Sequence, residues 1–143
     1  MNSNNHITVD QIKNDAEVIK KELVEWRHYL HARPELSFKE ERTTHYIVNK
    51  LKNFGYTDIQ IGFGPLKTGV MVEIGSGRPC VMLRADIDAL PIQEQTGVEF
   101  CSQSKGVSHA CGHDAHITNL LGVAKLLKKY ENSIKGRVKL LFQ

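Results

Sequence analysis

Long apolar runs are missing from this sequence. None approaches the ~20 residues that a bilayer-spanning helix needs, so no membrane span is expected. The first ten residues, Met1 to Asp10, are polar and hold neither an apolar signal core nor an Arg-rich amphipathic start. The expectation is a soluble cytoplasmic protein with no membrane partner. Cysteine is scarce: three residues, an odd number and widely spaced, which argues against a disulfide framework. Cys80 falls in an apolar strand pattern and is expected as a core thiol, Cys101 lies in a loop, and only Cys111 has chemically competent neighbours. Charge of one sign is also lacking, with a formal net charge of +3. The densest basic group, Lys125, Lys128 and Lys129, reads as a solvated helix face. No aromatic residues interleave with basic ones, so no nucleic-acid partner is expected. Repeats and low-complexity tracts are absent. What remains is a chain of 143 residues, 41% hydrophobic and 24% charged, the size and composition of one globular domain.

Apolar periodicity divides the chain into elements. Ile12, Ala16, Ile19, Leu23, Trp26 and Leu30 alternate steps of four and three and predict a helix, with Asp10 as its N-cap and an end before Pro34. Ser37-Phe38-Lys39-Glu40 has capping-box spacing and predicts the opening of a second helix. That helix carries Ile47, Val48, Leu51 and Phe54 on one face and ends at Gly55. Three strand-like runs follow, at Thr57 to Gly62, Gly69 to Ile74 and Pro79 to Ile87. Gly75-Ser76-Gly77 suggests a hairpin between the last two, and Val81-Met82-Leu83 suggests that the third is buried. After a polar loop from about Pro91 to Ser108, a third helix is predicted from near Asp114 to about Tyr130, then a strand from Arg137 to Phe142 opened by Gly136. This order argues for an α/β layer arrangement, in which functional residues favour the carboxyl ends of strands.

The richest chemistry is in His109-Ala110-Cys111-Gly112-His113-Asp114-Ala115-His116. Three imidazoles, a thiol and a carboxylate gather around one glycine, and these are ligand types for a borderline-soft divalent cation. Cys111 and His113 are two positions apart, about 200° on a helix, so they converge only from turn or extended backbone. Gly112 permits such a turn, which places both just ahead of the third helix. The helix N-terminus there favours a thiolate at Cys111. Asp114 serves either to cap the helix or to orient an imidazole, and His116 falls in the first turn. His109 and His113 share the i,i+4 spacing of a helical zinc pair, weakened by the intervening Cys and Gly. Upstream, Arg84, Asp86 and Asp88 alternate at a strand end and so share one side. Two carboxylates facing one way require a cation or an arginine in answer.

Three motifs, in order, carry a resemblance: Trp26 to Glu41 (WRHYLHARPELSFKEE), Leu83 to Gly97 (LRADIDALPIQEQTG) and His109 to His116 (HACGHDAH). Together they resemble the dinuclear-metal amidohydrolases of the aminoacylase and carboxypeptidase superfamily. The branch is that of hippurate hydrolases, N-acyl-amino-acid deacylases and auxin-conjugate hydrolases. The resemblance implies a zinc-peptidase-like α/β fold, a mixed sheet flanked by helices, of which residues 1–143 would be a truncated N-terminal part of the catalytic domain. It implies that Cys111 and His113 are metal ligands, that Asp88 orients the site, and that Asp86 stands where sister branches place a metal-binding histidine. Asp114, His116 and Arg84 are then expected around the metals or the substrate. Ser108 stands where a methionine is common and Arg33 where a histidine is frequent.

The resemblance further implies two divalent ions (Zn, Mn, Co or Ni), an N-acyl amino acid as substrate and a homo-oligomeric full-length form. In such enzymes the strand ending Phe142-Gln143 continues into a proline-alanine-glutamate-glutamate motif that supplies the general base and a further ligand. Two more histidine ligands and a smaller inserted domain lie beyond it. The expectation is therefore amide hydrolysis by the complete enzyme and an inactive chain as given. The alternatives are a non-catalytic metal-binding or interaction fragment, and a dipeptidase, which the HACGHDAH motif disfavours.

Overall fold

The computed structural model describes residues 7–63 and 65–143. Residues 1–6, part of the polar N-terminus read above, lie outside the described residues. Helix α1 (Val9–His31) begins at a capping box in which the Thr8 hydroxyl accepts the Gln11 N–H and the Gln11 side chain accepts the Thr8 N–H. Thr8, not Asp10, is therefore the N-cap. Asp10 falls in the first turn, where a carboxylate complements the helix dipole. Helix α2 (Glu41–Phe54) starts later than the Ser37 box predicts and has no side-chain cap bond from Glu40. Its orphan amides are answered by Glu35, whose carboxylate accepts from the Arg42 and Thr43 N–H groups and the Thr43 hydroxyl. Gly55 closes the helix in the left-handed conformation expected of it.

Strands β1 (Ile59–Ile61), β2 (Val70–Ser76), β3 (Cys80–Ala85) and β4 (Gly136–Phe142) form a mixed sheet in the order β1-β2-β4-β3. The expected hairpin between β2 and β3 is not formed. The last strand inserts between them, antiparallel to β2 and parallel to β3. Helix α3 (His113–Lys129) makes the crossover that a parallel β3–β4 pair requires.

One core cluster joins Val70, Val72 and Ile74 of β2 and Leu140 and Phe142 of β4 to Ile47 and Leu51 of α2 and Ile117, Leu121 and Ala124 of α3. Gly122 lets α1 approach α3 closely: a Cβ there would meet Leu23 at 3.0 Å. Outside the core, β3 corrects two expectations. It is an edge strand, its residues Cys80 to Arg84 are exposed, and Cys80 is a surface thiol rather than a core one. Of the α3 lysines expected on a solvated face, Lys129 is exposed while Lys125 and Lys128 are half-buried; Lys125 and Lys129 pair with Glu22 and Asp15 of α1, and Lys128 with Glu131.

Candidate metal centre

Because β3 and β4 run parallel, their carboxyl ends meet. Gln143 donates its N–H to the Ala85 carbonyl, and Ile87 donates to the Gln143 carbonyl. The chain leaving β3 therefore carries Asp86 and Asp88 out at the same edge of the sheet from which α3 starts. Gly112, at φ 113°, turns the chain into that helix, and His113 and His116 share its first turn. At a spacing of three they project from one helix face, with ring centroids 5.3 Å apart.

Asp86, His113 and His116 each offer a ligand atom, and these atoms all lie within 4.8 Å of one another. His113 Nδ1 lies 2.9 Å from both the carbonyl oxygen and a carboxylate oxygen of Asp88. Both are acceptors, so Nδ1 carries the proton and the Nε2 lone pair is left free. That Nε2 is 3.9 Å from Asp86 Oδ2, too far for a hydrogen bond. Two donors that each stand ~2 Å from a shared ion are about 3–4 Å apart, so this gap suits a divalent cation. The other Asp86 oxygen, Oδ1, is held by Arg84 Nη2 at 2.7 Å. Arg84, Asp86 and Asp88 line one side of a cleft of about 480 Å³ together with His113, Glu40, Phe38 and Gln143. The donor set of two imidazoles and a carboxylate fits a zinc-like ion. Cys111 is exposed and is not in this group, and neither is His109, which precedes the helix.

Asp114 faces the other way. It is fully buried, and its Oδ2 accepts from Arg27 Nε at 3.2 Å and His31 Nδ1 at 2.8 Å. Asp114 does not cap α3, whose N-cap is Gly112, and the imidazole it orients belongs to α1. His31 Nε2 meets Glu94 at 3.0 Å, and Glu94 also accepts from the Ser102 N–H and the Thr96 hydroxyl. Burial lowers the His31 pKa, but the bonds to Glu94 and Asp114 outweigh it and raise the pKa above its ordinary value. Desolvation pushes Glu94 up, yet its hydrogen bonds from Thr96, Ser102 and His31 bring it down to about 2. His109 is 4% exposed with neither ring nitrogen partnered, and burial drives its pKa to about 4, so it is neutral at pH 7.

Sequence reasoning missed Arg27, His31 and Glu94. The first two stand four apart on α1, so they share a face, and that spacing was the available signal. Glu94 lies in a polar loop and gave none.

The fold is a helix-covered mixed sheet with a histidine–carboxylate cluster at its strand ends whose ligand types could hold a divalent cation. Residues 82–143 match the model of peptidase family M20/M25/M40. Over 139 residues the chain is 42% identical to an N-acyl-L-amino acid amidohydrolase of Geobacillus stearothermophilus, covering 96% of this chain and 37% of that protein. It is 46% identical to an N-acetyl-L-cysteine deacetylase of Bacillus subtilis, covering 98% of this chain and 34% of that one. A solved Bacillus subtilis structure, described as a dinuclear metal-binding peptidase of family M20, superposes with a TM-score of 0.78 at 45% identity, over 89% of this chain and 36% of that one. The chain is thus similar to members of peptidase family M20 along nearly its whole length, and it spans about a third of the length of the curated relatives it matches.

Proposed function

We propose that residues 1–143 form the N-terminal portion of the catalytic domain of a metal-dependent amidohydrolase that cleaves N-acyl amino acids of the N-acetyl or N-benzoyl type. The observation that carries this reading is the convergence of Asp86, His113 and His116 at the carboxyl ends of β3 and β4. In this reading His113 and Cys111 are metal ligands, joined by His116 and Asp86. Asp88 fixes the His113 tautomer, Arg84 orients Asp86, and Asp114 anchors the start of α3 to α1. The metals are two divalent ions, of zinc, manganese, cobalt or nickel. Bound there, they supply Lewis acidity to the amide carbonyl and acidify a water.

The chain's own residues do the positioning. Asp88 holds the His113 Nδ1 proton and so turns Nε2 into the cleft. The Arg84 guanidinium takes one oxygen of Asp86 and leaves the other facing His113. The base that moves the water proton to the leaving amine comes, in this reading, from polypeptide beyond Gln143. The 143-residue chain alone is therefore inactive. Metal-dependent amide hydrolysis by the purified chain that tracks its concentration and is lost in His113→Ala would overturn that statement. The wider reading is tested on the natively expressed polypeptide, sized by mass spectrometry and assayed with N-acetyl and N-benzoyl amino acids. Hydrolysis abolished by a chelator supports it, and a metal-loaded native product that cleaves neither class sinks it. The full-length form is proposed to be cytoplasmic and homo-oligomeric, with a small-molecule partner only. Among the described residues no helix is long and apolar enough to cross a membrane.

One observation favours a second reading, a non-catalytic metal-binding or interaction chain. Val81, Met82 and Leu83 of the edge strand β3 are 52%, 52% and 39% exposed, an apolar edge of the kind that pairs with another polypeptide. A native product of 16.2 kDa would support it.

A further inference from the structure

His31 closes α1 and reaches two other segments, the polar loop through Glu94 and the first turn of α3 through Asp114. Its Nδ1 lies 2.8 Å from Asp114 Oδ2 and its Nε2 lies 3.0 Å from Glu94 Oε1. An ionised carboxylate only accepts, so both ring nitrogens must donate, and an imidazole with two N–H groups is a cation. Both carboxylates are answered as anions elsewhere: Glu94 accepts from the Ser102 N–H at 2.6 Å and the Thr96 hydroxyl, and Asp114 accepts from Arg27 Nε. The ring is also the last residue of a 23-residue helix, at the negative end of its dipole. Burial opposes the charge, but the bonds to Glu94 and Asp114 outweigh it. The remaining titratable or charged groups around the ring are Arg27 on α1, which shares Asp114 Oδ2, and His109 ahead of α3, whose ring centroid is 6.4 Å away and which is neutral at pH 7.

We propose that His31, as a doubly protonated cation, is a positioning residue of the metal centre. Asp114 directly follows His113, and His113 and His116 share the same turn of α3. While both protons are in place, one ring holds α1, the loop and that turn together. When one proton leaves, a lone pair faces a carboxylate oxygen across 2.8 or 3.0 Å and that bond is lost. The turn that presents His113 and His116 to Asp86 then loosens. This rests on reading Asp86, His113 and His116 as a metal site, and it is independent of the substrate.

The test uses the natively expressed polypeptide, grown with 15N- and 13C-labelled histidine. The His31 ring is followed by NMR across a pH titration, with and without zinc, and is identified by its contact with the Phe100 ring or by its loss in His31→Gln. At pH 7 both ring nitrogens should carry protons, and a neutral tautomer there overturns the proposal. If the charged ring positions the site, zinc and the proton favour each other reciprocally. Zinc should then raise the His31 titration midpoint by about one pH unit, which corresponds to about tenfold tighter zinc binding when the ring is charged. A nearby cation acting by charge alone would lower the midpoint, so a midpoint that falls or stays overturns the proposal. His31→Gln should bind zinc about tenfold more weakly than the parent below the midpoint and about equally above it. An equal loss at both ends marks a merely structural residue and also overturns it. A polypeptide that binds no zinc overturns the metal-site reading, and this inference with it.

Discussion

Two carboxylate–histidine clusters start from the first two residues of α3, and they are built on opposite plans. Around Asp114 most of the groups are paired: both His31 ring nitrogens, the Arg27 Nε–H and both Glu94 oxygens have partners, Asp114 Oδ2 takes two bonds while its buried Oδ1 takes none, and both carboxylates lie out of water. Around His113 the groups are left short. Asp88 takes one ring nitrogen, Arg84 takes one oxygen of Asp86, and the remaining donor atoms face each other across a gap too wide for a hydrogen bond. The Asp114 oxygen shared by Arg27 and His31 ties the start of α3 to α1. Incompleteness leaves lone pairs that a cation could bridge. One anchors so that the other can stay open, a division expected where a rigid shell supports a binding site.

The largest expected effect comes from breaking the anchor. Asp114→Ala leaves the His31 imidazole and the Arg27 guanidinium without their shared partner and should destabilise the chain by about 3 kcal/mol or more in urea denaturation. A loss under about 1 kcal/mol would mean that the cluster is not structural. On the open side the order reverses. His113→Ala should change stability by less than about 1 kcal/mol yet abolish zinc binding in calorimetry. Asp88→Asn should weaken zinc binding about 10–100-fold, since it loosens the ring that points Nε2 at the ion.

Acid should also separate the two clusters. The folded pKa of Glu94 is depressed to about 2 from an ordinary 4.5, so its contribution is present above that ordinary value and is lost as pH falls toward 2. His31 is raised, so its contribution is full below its ordinary pKa of 6.5 and is lost as pH rises through the folded value. Urea midpoints measured from pH 5 to pH 2 should fall, and Glu94→Gln should flatten that limb. An unchanged slope would place the acid sensitivity elsewhere. The smallest effect is expected from Cys111→Ser, about threefold to tenfold in metal affinity, because Cys111 stands outside the three-residue group. A thiolate-to-cobalt charge-transfer band that disappears in this variant would confirm Cys111 as a ligand, and its absence from the parent chain would remove Cys111 from the site.

Much of this was legible in the chain itself, and the misses have physical causes. The hairpin between β2 and β3 failed because a turn such as Gly75-Ser76-Gly77 reports only that the chain reverses. The true partner of both strands, β4, begins at Gly136, and a pairing that distant leaves no local trace. The apolar run Val81-Met82-Leu83 reads as a buried strand, but burial depends on what lies beside a strand, and here one side is open. Asp114 was visible as a carboxylate next to His113. Its partners His31 and Arg27 lie 83 and 87 residues away, a contact created by the packing of α1 on α3.

Local pattern in the chain sets the helices, the strand runs and the residue types able to hold a metal. Apolar periodicity and ligand chemistry are local properties that travel with the residues. Tertiary structure decided which of those residues meet. Parallel pairing of β3 with β4 carries Asp86 to the start of α3, and helical rise puts His116 beside His113. Long-range contact sends Asp114 into the core while its neighbour His113 faces the cleft. The spacing of residues in a chain sets what each can reach, and the packing of distant elements sets what is there to be reached.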